Sequence, residues 1–163
     1  MSKALKERQG AEDAGLVVQL VTFTVGEESF AVEVGSVREI IRLPAITALP
    51  NSPGYLDGII NLRGGVIPIV SLRERFGREA AQNDGRTRIM VMTVREKTVG
   101  FRVDAVAEVI RVPRGELRPS PLASGGERGC VAGVVERGGR LLIVLAAERL
   151  LSDHETVWEA QAA

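Results

Sequence analysis

The chain has 163 residues, of which 45% are apolar and 26% are charged, so it is long enough for one globular domain or for two small units that share a core. Its 21 lysines and arginines balance its 21 aspartates and glutamates, which argues against a general binder of nucleic acid or of anionic membranes. The single cysteine, Cys130, excludes an intrachain disulfide, and no apolar stretch approaches the roughly 20 residues of a membrane-spanning helix.

The first elements follow a polar start. Residues 1–15 lack the apolar run of a signal peptide, so we expect a loose tail and a cytoplasmic protein. From Leu16 onward apolar and polar residues alternate, which predicts a strand through Val25 and a turn at Gly26-Glu27. A second strand is predicted before Gly35-Ser36, and the sequence VREIIRL follows that break.

A hairpin and a short helix are predicted next. Gly58–Leu62 and Val66–Val70 have strand patterns, and Gly64-Gly65 between them suits a tight turn that requires positive φ. Ser71 stands three residues before Glu74, a capping-box pattern that predicts a short helix through residue 76. Residues 82–86 form a polar linker.

The rest of the chain repeats this order. Residues 20–44 recur at residues 89–113 with nine of 25 positions identical, and the segment from Gly58 recurs from Gly133. We therefore predict an all-β protein made of two tandem five-stranded barrels from an internal duplication, with short helices and a C-terminal helix. The predicted bounds are a disordered tail at 1–15, a first barrel at 16–83, a second barrel at 84–151 and a helix at 152–163.

No constellation of residues predicts catalysis. The only histidine, His154, lies in the predicted C-terminal helix, and Cys130 begins an apolar strand, where a small buried residue is the usual occupant. The sequence has neither a Cys–His cluster nor a phosphate-binding loop, so we predict no catalytic residue, no metal site and no cofactor. The few aromatic residues mostly occupy apolar-face positions, which disfavours a barrel that stacks nucleic-acid bases. A surface for protein partners remains.

Two local features could belong to such a surface. Asn61-Leu62-Arg63-Gly64 lies where a strand meets its turn, and Arg63 is either an ordinary solvated turn residue or a contact. Val37-Arg38-Glu39-Ile40 is either the start of a strand with core side chains or a second part of the contact. The residues alone leave both alternatives open.

These segments resemble a known family. The run GIINLRGGVIPIVSLRERFG, preceded by FAVEVGSVREIIR and followed by VGFRVDAVAEVI, is similar to the bacterial chemotaxis coupling protein family, CheW, over about residues 17–151. The resemblance implies barrels of the Src-homology-3 kind and a non-enzymatic adaptor. Such an adaptor joins the cytoplasmic tips of chemoreceptors (methyl-accepting chemotaxis proteins) to the regulatory domain of the histidine kinase CheA, at membrane-associated arrays and without inserting into the membrane.

The resemblance also implies site residues. The receptor-binding positions would be Val37, Glu39, Gly58, Arg63 and Val109. The kinase-binding positions would be Ile89 and Gly100.

Two other functions are compatible with parts of this sequence. A coupling protein of the same fold could serve surface motility or another kinase pathway, which the sequence cannot separate from chemotaxis. A small ligand-binding or enzymatic double barrel would need a concave polar site, for which no constellation is present.

Overall fold

The computed structural model describes residues 16–79, 82–119 and 129–151, and within them the chain is almost entirely β-strand. Two five-stranded sheets have the orders β8-β1-β2-β10-β9 and β3-β6-β7-β5-β4. The strands are β1 (Val17–Val25), β2 (Glu28–Glu33), β3 (Val37–Arg42), β4 (Leu56–Leu62), β5 (Gly65–Ser71), β6 (Arg88–Val94), β7 (Lys97–Val103), β8 (Ala105–Pro113), β9 (Val131–Arg137) and β10 (Arg140–Leu145). The prediction of an all-β fold is confirmed.

Helical structure in the described residues is short. Helix α1 (Leu72–Arg75) begins where the capping box predicts, and the Ser71 hydroxyl accepts a hydrogen bond from the backbone N–H of Glu74. The equivalent position in the second copy is Ala146, which offers no capping side chain and precedes only a 3-10 turn, Ala147–Arg149. The predicted tail at 1–15 and helix at 152–163 lie outside the described residues. None of the described helices is long and apolar enough to cross a membrane.

The two sheets do not correspond to the two halves of the chain. Strands β3–β7, within residues 37–103, form what we call the continuous sheet. The other sheet, called the discontinuous sheet, combines β1 and β2 from residues 17–33 with β8–β10 from residues 105–145. The prediction that residues 16–83 and 84–151 form separate barrels is therefore wrong, because each copy gives its first two strands to one sheet and the next three to the other.

The exchange is reciprocal. Val21 of β1 pairs with Val109 of β8, and Met90 of β6 pairs with Ile40 of β3. These are the same two positions of the repeat in both sheets, since 69 residues separate Val21 from Met90 and Ile40 from Val109. The parallel pairings of β10 with β2 and of β5 with β7 correspond in the same way. Each sheet therefore has the same register, built from opposite halves of the sequence.

Both sheets are buried on two faces. Alternate residues of β1 illustrate this, because Val21 and Phe23 belong to a large cluster shared by the two sheets, whereas Leu20 belongs to a smaller cluster within its own sheet. The continuous sheet has its own smaller cluster, which consists of Ile60, Ile67, Ile69, Ile89 and Val91. Burial of the shared cluster holds the two sheets against each other, since apolar surface removed from water is the main stabilising term.

Candidate partner-binding site

Arg63 lies at the tip of the β4–β5 hairpin in a conformation that arginine rarely adopts. Its φ is 51° and that of Gly64 is 83°, the two positive values of a type I′ turn. The Asn61 side-chain oxygen accepts a hydrogen bond from the Gly64 N–H at 3.1 Å and supports the turn. The turn thus consists of Arg63-Gly64, one residue before the predicted Gly64-Gly65, because Gly65 already pairs with Leu62.

A β-bulge in β3 directs Glu39 toward this hairpin. Val37 pairs with Met92 and Glu39 pairs with the next residue, Val91, so Arg38 is an extra residue between them. Cross-strand partners face the same side of a sheet, so Val37 faces the shared cluster with Met92. Glu39 faces the other side with Val91. Without the bulge, Val37 and Glu39 would share a face.

Arg63 and Glu39 form a bidentate ion pair at the surface. Two guanidinium nitrogens of Arg63 donate to the two carboxylate oxygens of Glu39, each at 2.7 Å. The Arg63 side chain is 75% exposed, whereas that of Glu39 is 23% exposed. The pair uses two of the five guanidinium N–H donors, which leaves an oriented cation with further donors available to a partner.

The ion pair stands beside a shallow depression of the continuous sheet. We call it the Arg63 depression; it is lined by Arg38, Glu39, Arg63, Ile67, Val91 and Thr98. Its floor is apolar, because Ile67 and Val91 belong to the inner cluster of that sheet. Arg38 donates a hydrogen bond to the Thr98 hydroxyl at 3.2 Å on the rim. No pattern in the sequence indicates Thr98 as a site residue, whereas Arg38 lies within the Val37–Ile40 segment that does stand out.

Two of the predicted receptor contacts lie elsewhere. Val37 is partly buried against the shared cluster, so its side chain is directed away from Arg63. Val109 is 58% exposed, but it belongs to β8 of the discontinuous sheet. Of the five predicted receptor positions, the structure thus brings only Glu39 and Arg63 into contact.

Gly58 is buried and has a conformational role. Its φ is 146°, and a Cβ atom there would lie 2.1 Å from the carbonyl oxygen of Thr47, which forms an isolated bridge with Ile59. Gly133 plays the same part in the second copy, because a Cβ atom there would lie 2.6 Å from the carbonyl oxygen of Arg118. Because both copies have a glycine at this close backbone approach, we attribute the glycine to folding. Substitution of Gly58 would then affect a partner only indirectly.

The two predicted kinase contacts are buried as well. Ile89 is fully buried in the inner cluster of the continuous sheet. A Cβ atom on Gly100 would lie 2.7 Å from Cγ2 of Ile89 and 2.6 Å from Cδ1 of Ile69. Contact of these two residues with a kinase therefore stays a prediction, and in this structure both are placed to act through packing.

The described residues contain no group of three or more metal-ligating side chains of the His, Cys, Asp and Glu types. Burial raises the pKa of the Cys130 thiol above its ordinary value, which disfavours the reactive thiolate. The Arg63 depression offers an oriented guanidinium, a carboxylate and an apolar floor.

Comparison with known proteins identifies the family. The family model described as CheW-like domain matches residues 19–155. The chain belongs to the CheW-like family. A curated relative named "Probable chemotaxis protein CheW", from Rhizobium etli, is 38% identical over 139 residues, which cover 85% of this chain and 90% of the relative. The "Chemotaxis protein CheW" of Rhizobium meliloti is 36% identical over 138 residues, which cover 84% and 89%.

A solved structure agrees with this membership. The scaffolding protein TtCheW from Thermoanaerobacter tengcongensis superposes with a TM-score of 0.78 at 28% identity and covers 86% of this chain and 91% of its own. The duplicated SH3-like fold predicted from the resemblance is confirmed. This CheW-like chain is a coupling adaptor of chemotaxis, and the chemotaxis names of its curated relatives fit that function better than the surface-motility alternative.

Proposed function

We propose that the adaptor joins the cytoplasmic tip of a chemoreceptor to the regulatory domain of the histidine kinase CheA, with the Arg63 depression as the receptor contact. The main support for this proposal is that Arg63 adopts a left-handed conformation, at a cost of about 1 kcal/mol, while most of its side chain stays exposed. The repeat offset aligns it with Gly138, which has a φ of 56°. The fold therefore accepts glycine at this position, and strain of this kind is typical of functional sites.

The chemistry of the depression suits an amphipathic helix. The Glu39 carboxylate fixes the guanidinium plane, so that its remaining donors can reach a carboxylate or a carbonyl of the partner. An apolar side chain of the same helix can cover Ile67 and Val91 at the floor. Recognition of this kind needs no catalysis, and we propose that the adaptor has none and acts in the cytoplasm at membrane-associated arrays.

The kinase contact is proposed to involve exposed residues outside the Arg63 depression. Ile89 and Gly100 would then modulate kinase binding through the packing of β6 against β7. Val37 and Gly58 would modulate receptor binding in the same indirect way.

The test is the affinity of Arg63→Ala and Arg63→Glu variants for a purified receptor-tip fragment and for the kinase regulatory domain. We expect receptor binding to weaken at least about tenfold, which corresponds to roughly 1.4 kcal/mol. Kinase affinity and melting temperature should change little, because the substituted side chain is exposed.

A matched control is Arg42→Glu, which makes the same charge change on the exposed side of β3. It should leave receptor affinity within about twofold of wild type, since a screened surface charge contributes little. Unchanged receptor affinity of the Arg63 variants, or equal weakening by Arg42→Glu, would contradict the proposal.

A further inference from the structure

The discontinuous sheet has a depression that is the repeat-related counterpart of the Arg63 depression. We call it the Arg140 depression; it is lined by Thr22, Ser29, Glu108, Arg137, Arg140 and Leu142. Most of its lining positions correspond through the repeat offsets to positions of the Arg63 depression, among them Glu108 to Glu39, Thr22 to Val91, Ser29 to Thr98 and Leu142 to Ile67. Because the two sheets share one register, the two depressions are built on the same arrangement of strands, which we call the frame.

The two depressions have the same numbers of charged side chains, but the arginines occupy different positions. Each depression has one glutamate at the β-bulge and two arginines on its rim. The second copy has glycine where Arg63 stands, but its arginines flank the equivalent turn, with Arg137 before it and Arg140 after it. A cationic rim is thus present in both copies, although no arginine of the hairpin keeps its position.

The charges of the Arg140 depression are less completely paired. Arg137 lies 3.4 Å from Glu116 and donates a hydrogen bond to the backbone carbonyl of Arg111. Arg140 is exposed and forms no ion pair with any residue in the described ranges. The backbone of Glu108 is held by the Thr22 hydroxyl at 3.1 and 3.2 Å, which fixes the bulge and leaves the carboxylate at the surface.

An exposed apolar side chain follows each of the two equivalent hairpin turns. Leu141 is 66% exposed next to Arg140, and its repeat counterpart Val66 is 57% exposed. A guanidinium that forms no ion pair with the described residues, beside an exposed leucine, is complementary to a helix that offers a carboxylate and an apolar residue one turn apart.

We propose that the Arg140 depression is a second docking site for an acidic amphipathic helix of the chemoreceptor tip, so that the adaptor engages the receptor through both copies of its repeat. This inference rests on the proposed function, because it assigns the same class of partner to the second frame. The different arginine positions let the two depressions select different helices.

The test is site-specific photo-crosslinking in a mixture of the full-length adaptor, a purified receptor-tip fragment and the kinase regulatory domain. A benzoylphenylalanine at position 141 should crosslink to the receptor fragment, within a helical segment that has a carboxylate about one turn from the attachment point. The same probe at position 66 is the matched control and should crosslink to the receptor beside the Arg63 depression.

Affinity measurements complement the crosslinks. Arg140→Glu should weaken receptor binding about three- to tenfold, Arg140→Lys should weaken it less, and neither should lower the melting temperature. Replacing the crosslinked carboxylate of the receptor by lysine should restore binding to the Arg140→Glu variant.

The possible failures are distinguishable. A crosslink at position 66 but none at position 141, or one from position 141 to the kinase domain or to a second adaptor, would overturn this inference alone. Loss of receptor crosslinks at both positions, together with unchanged affinity of the Arg63 variants, would overturn the proposed function and this inference with it.

Discussion

The Arg63 and Arg140 depressions are two versions of one frame, and their differences separate the residues that the fold requires from those that it merely tolerates. Both versions keep a glutamate after a β-bulge and a left-handed residue at the hairpin turn. Only one of them places a charged side chain at that left-handed position. Features common to both copies can be attributed to folding, whereas a feature that one copy keeps at an energetic cost calls for a functional explanation.

The largest effect is expected from the two buried glycines that this comparison assigns to the fold. Gly58→Ala should lower the unfolding free energy by about 3 kcal/mol, because the new Cβ would lie 2.1 Å from a backbone oxygen and φ is positive. Gly133→Ala should cost less, about 1–2 kcal/mol, because its overlap is smaller and φ imposes no extra strain. Urea denaturation of both variants measures this, and a Gly58→Ala protein with wild-type stability and weak receptor binding would make Gly58 a contact after all.

A smaller effect is expected at the two left-handed turn positions. Gly138→Arg should lower the unfolding free energy by about 1 kcal/mol, since arginine must then adopt φ near 56°, and an exposed pair with Glu108, the counterpart of Glu39, would offset little of this cost. Arg63→Gly should change stability by less than about 0.5 kcal/mol, because relief of strain offsets loss of a largely exposed ion pair. Urea melts of both variants check this. If Gly138→Arg had no cost, the strain at Arg63 could not support a functional interpretation.

The smallest effect concerns an ion pair that only the continuous sheet has. Asp57 lies 2.7 Å from Arg102, whereas the repeat offsets place Ala132 and Glu33 at the equivalent positions. Desolvation raises the pKa of Asp57 above the ordinary 3.8, and the Arg102 charge opposes this only in part. The folded state therefore binds this proton more tightly than the unfolded state does.

The raised pKa of Asp57 in the folded state determines the sign of the pH dependence. The contribution of Asp57 to stability is fully present below the unfolded pKa and is lost as pH rises through the raised folded pKa. The difference in unfolding free energy between wild type and Asp57→Asn should therefore become less favourable to wild type as pH rises from the unfolded-state pKa of Asp57 through its folded-state pKa. Urea melts between about pH 3 and pH 6.5 measure the difference, and an increase with pH would mean that Arg102 outweighs desolvation.

Much of this architecture could be predicted from the sequence because it is locally encoded. Alternating apolar residues specify the strands, Ser71 and Glu74 specify the start of α1, and paired glycines place the β4–β5 and β9–β10 hairpins to within one residue. The exchange of strands between copies is not encoded in this way. When two segments of similar sequence offer equivalent strands, the repeat pattern fits pairing within a copy and pairing between copies equally well.

The site was predictable in part for the same reason. Arg63 stands out because its counterpart is glycine, which the repeat reveals without coordinates. The contact of Arg63 with Glu39 depends on the bulge at Arg38, and neither alternation nor composition indicates that extra residue. Ile89 is buried because β6 lies between β3 and β7, and Gly100 is buried because β7 lies between β6 and β5. Only the pairing of the strands determines these positions.

The reciprocal strand exchange has a consequence for biosynthesis. Strands β3–β7 leave the ribosome as one uninterrupted run, whereas β2 ends at Glu33 and meets its parallel neighbour β10 only after Arg140 has been made. We expect the continuous sheet to form first and the β1–β2 hairpin to wait, with an open edge, for most of translation, since distant pairings form slowly. Stalled nascent chains should show this as early protease protection of residues 37–103 and late protection of residues 17–33.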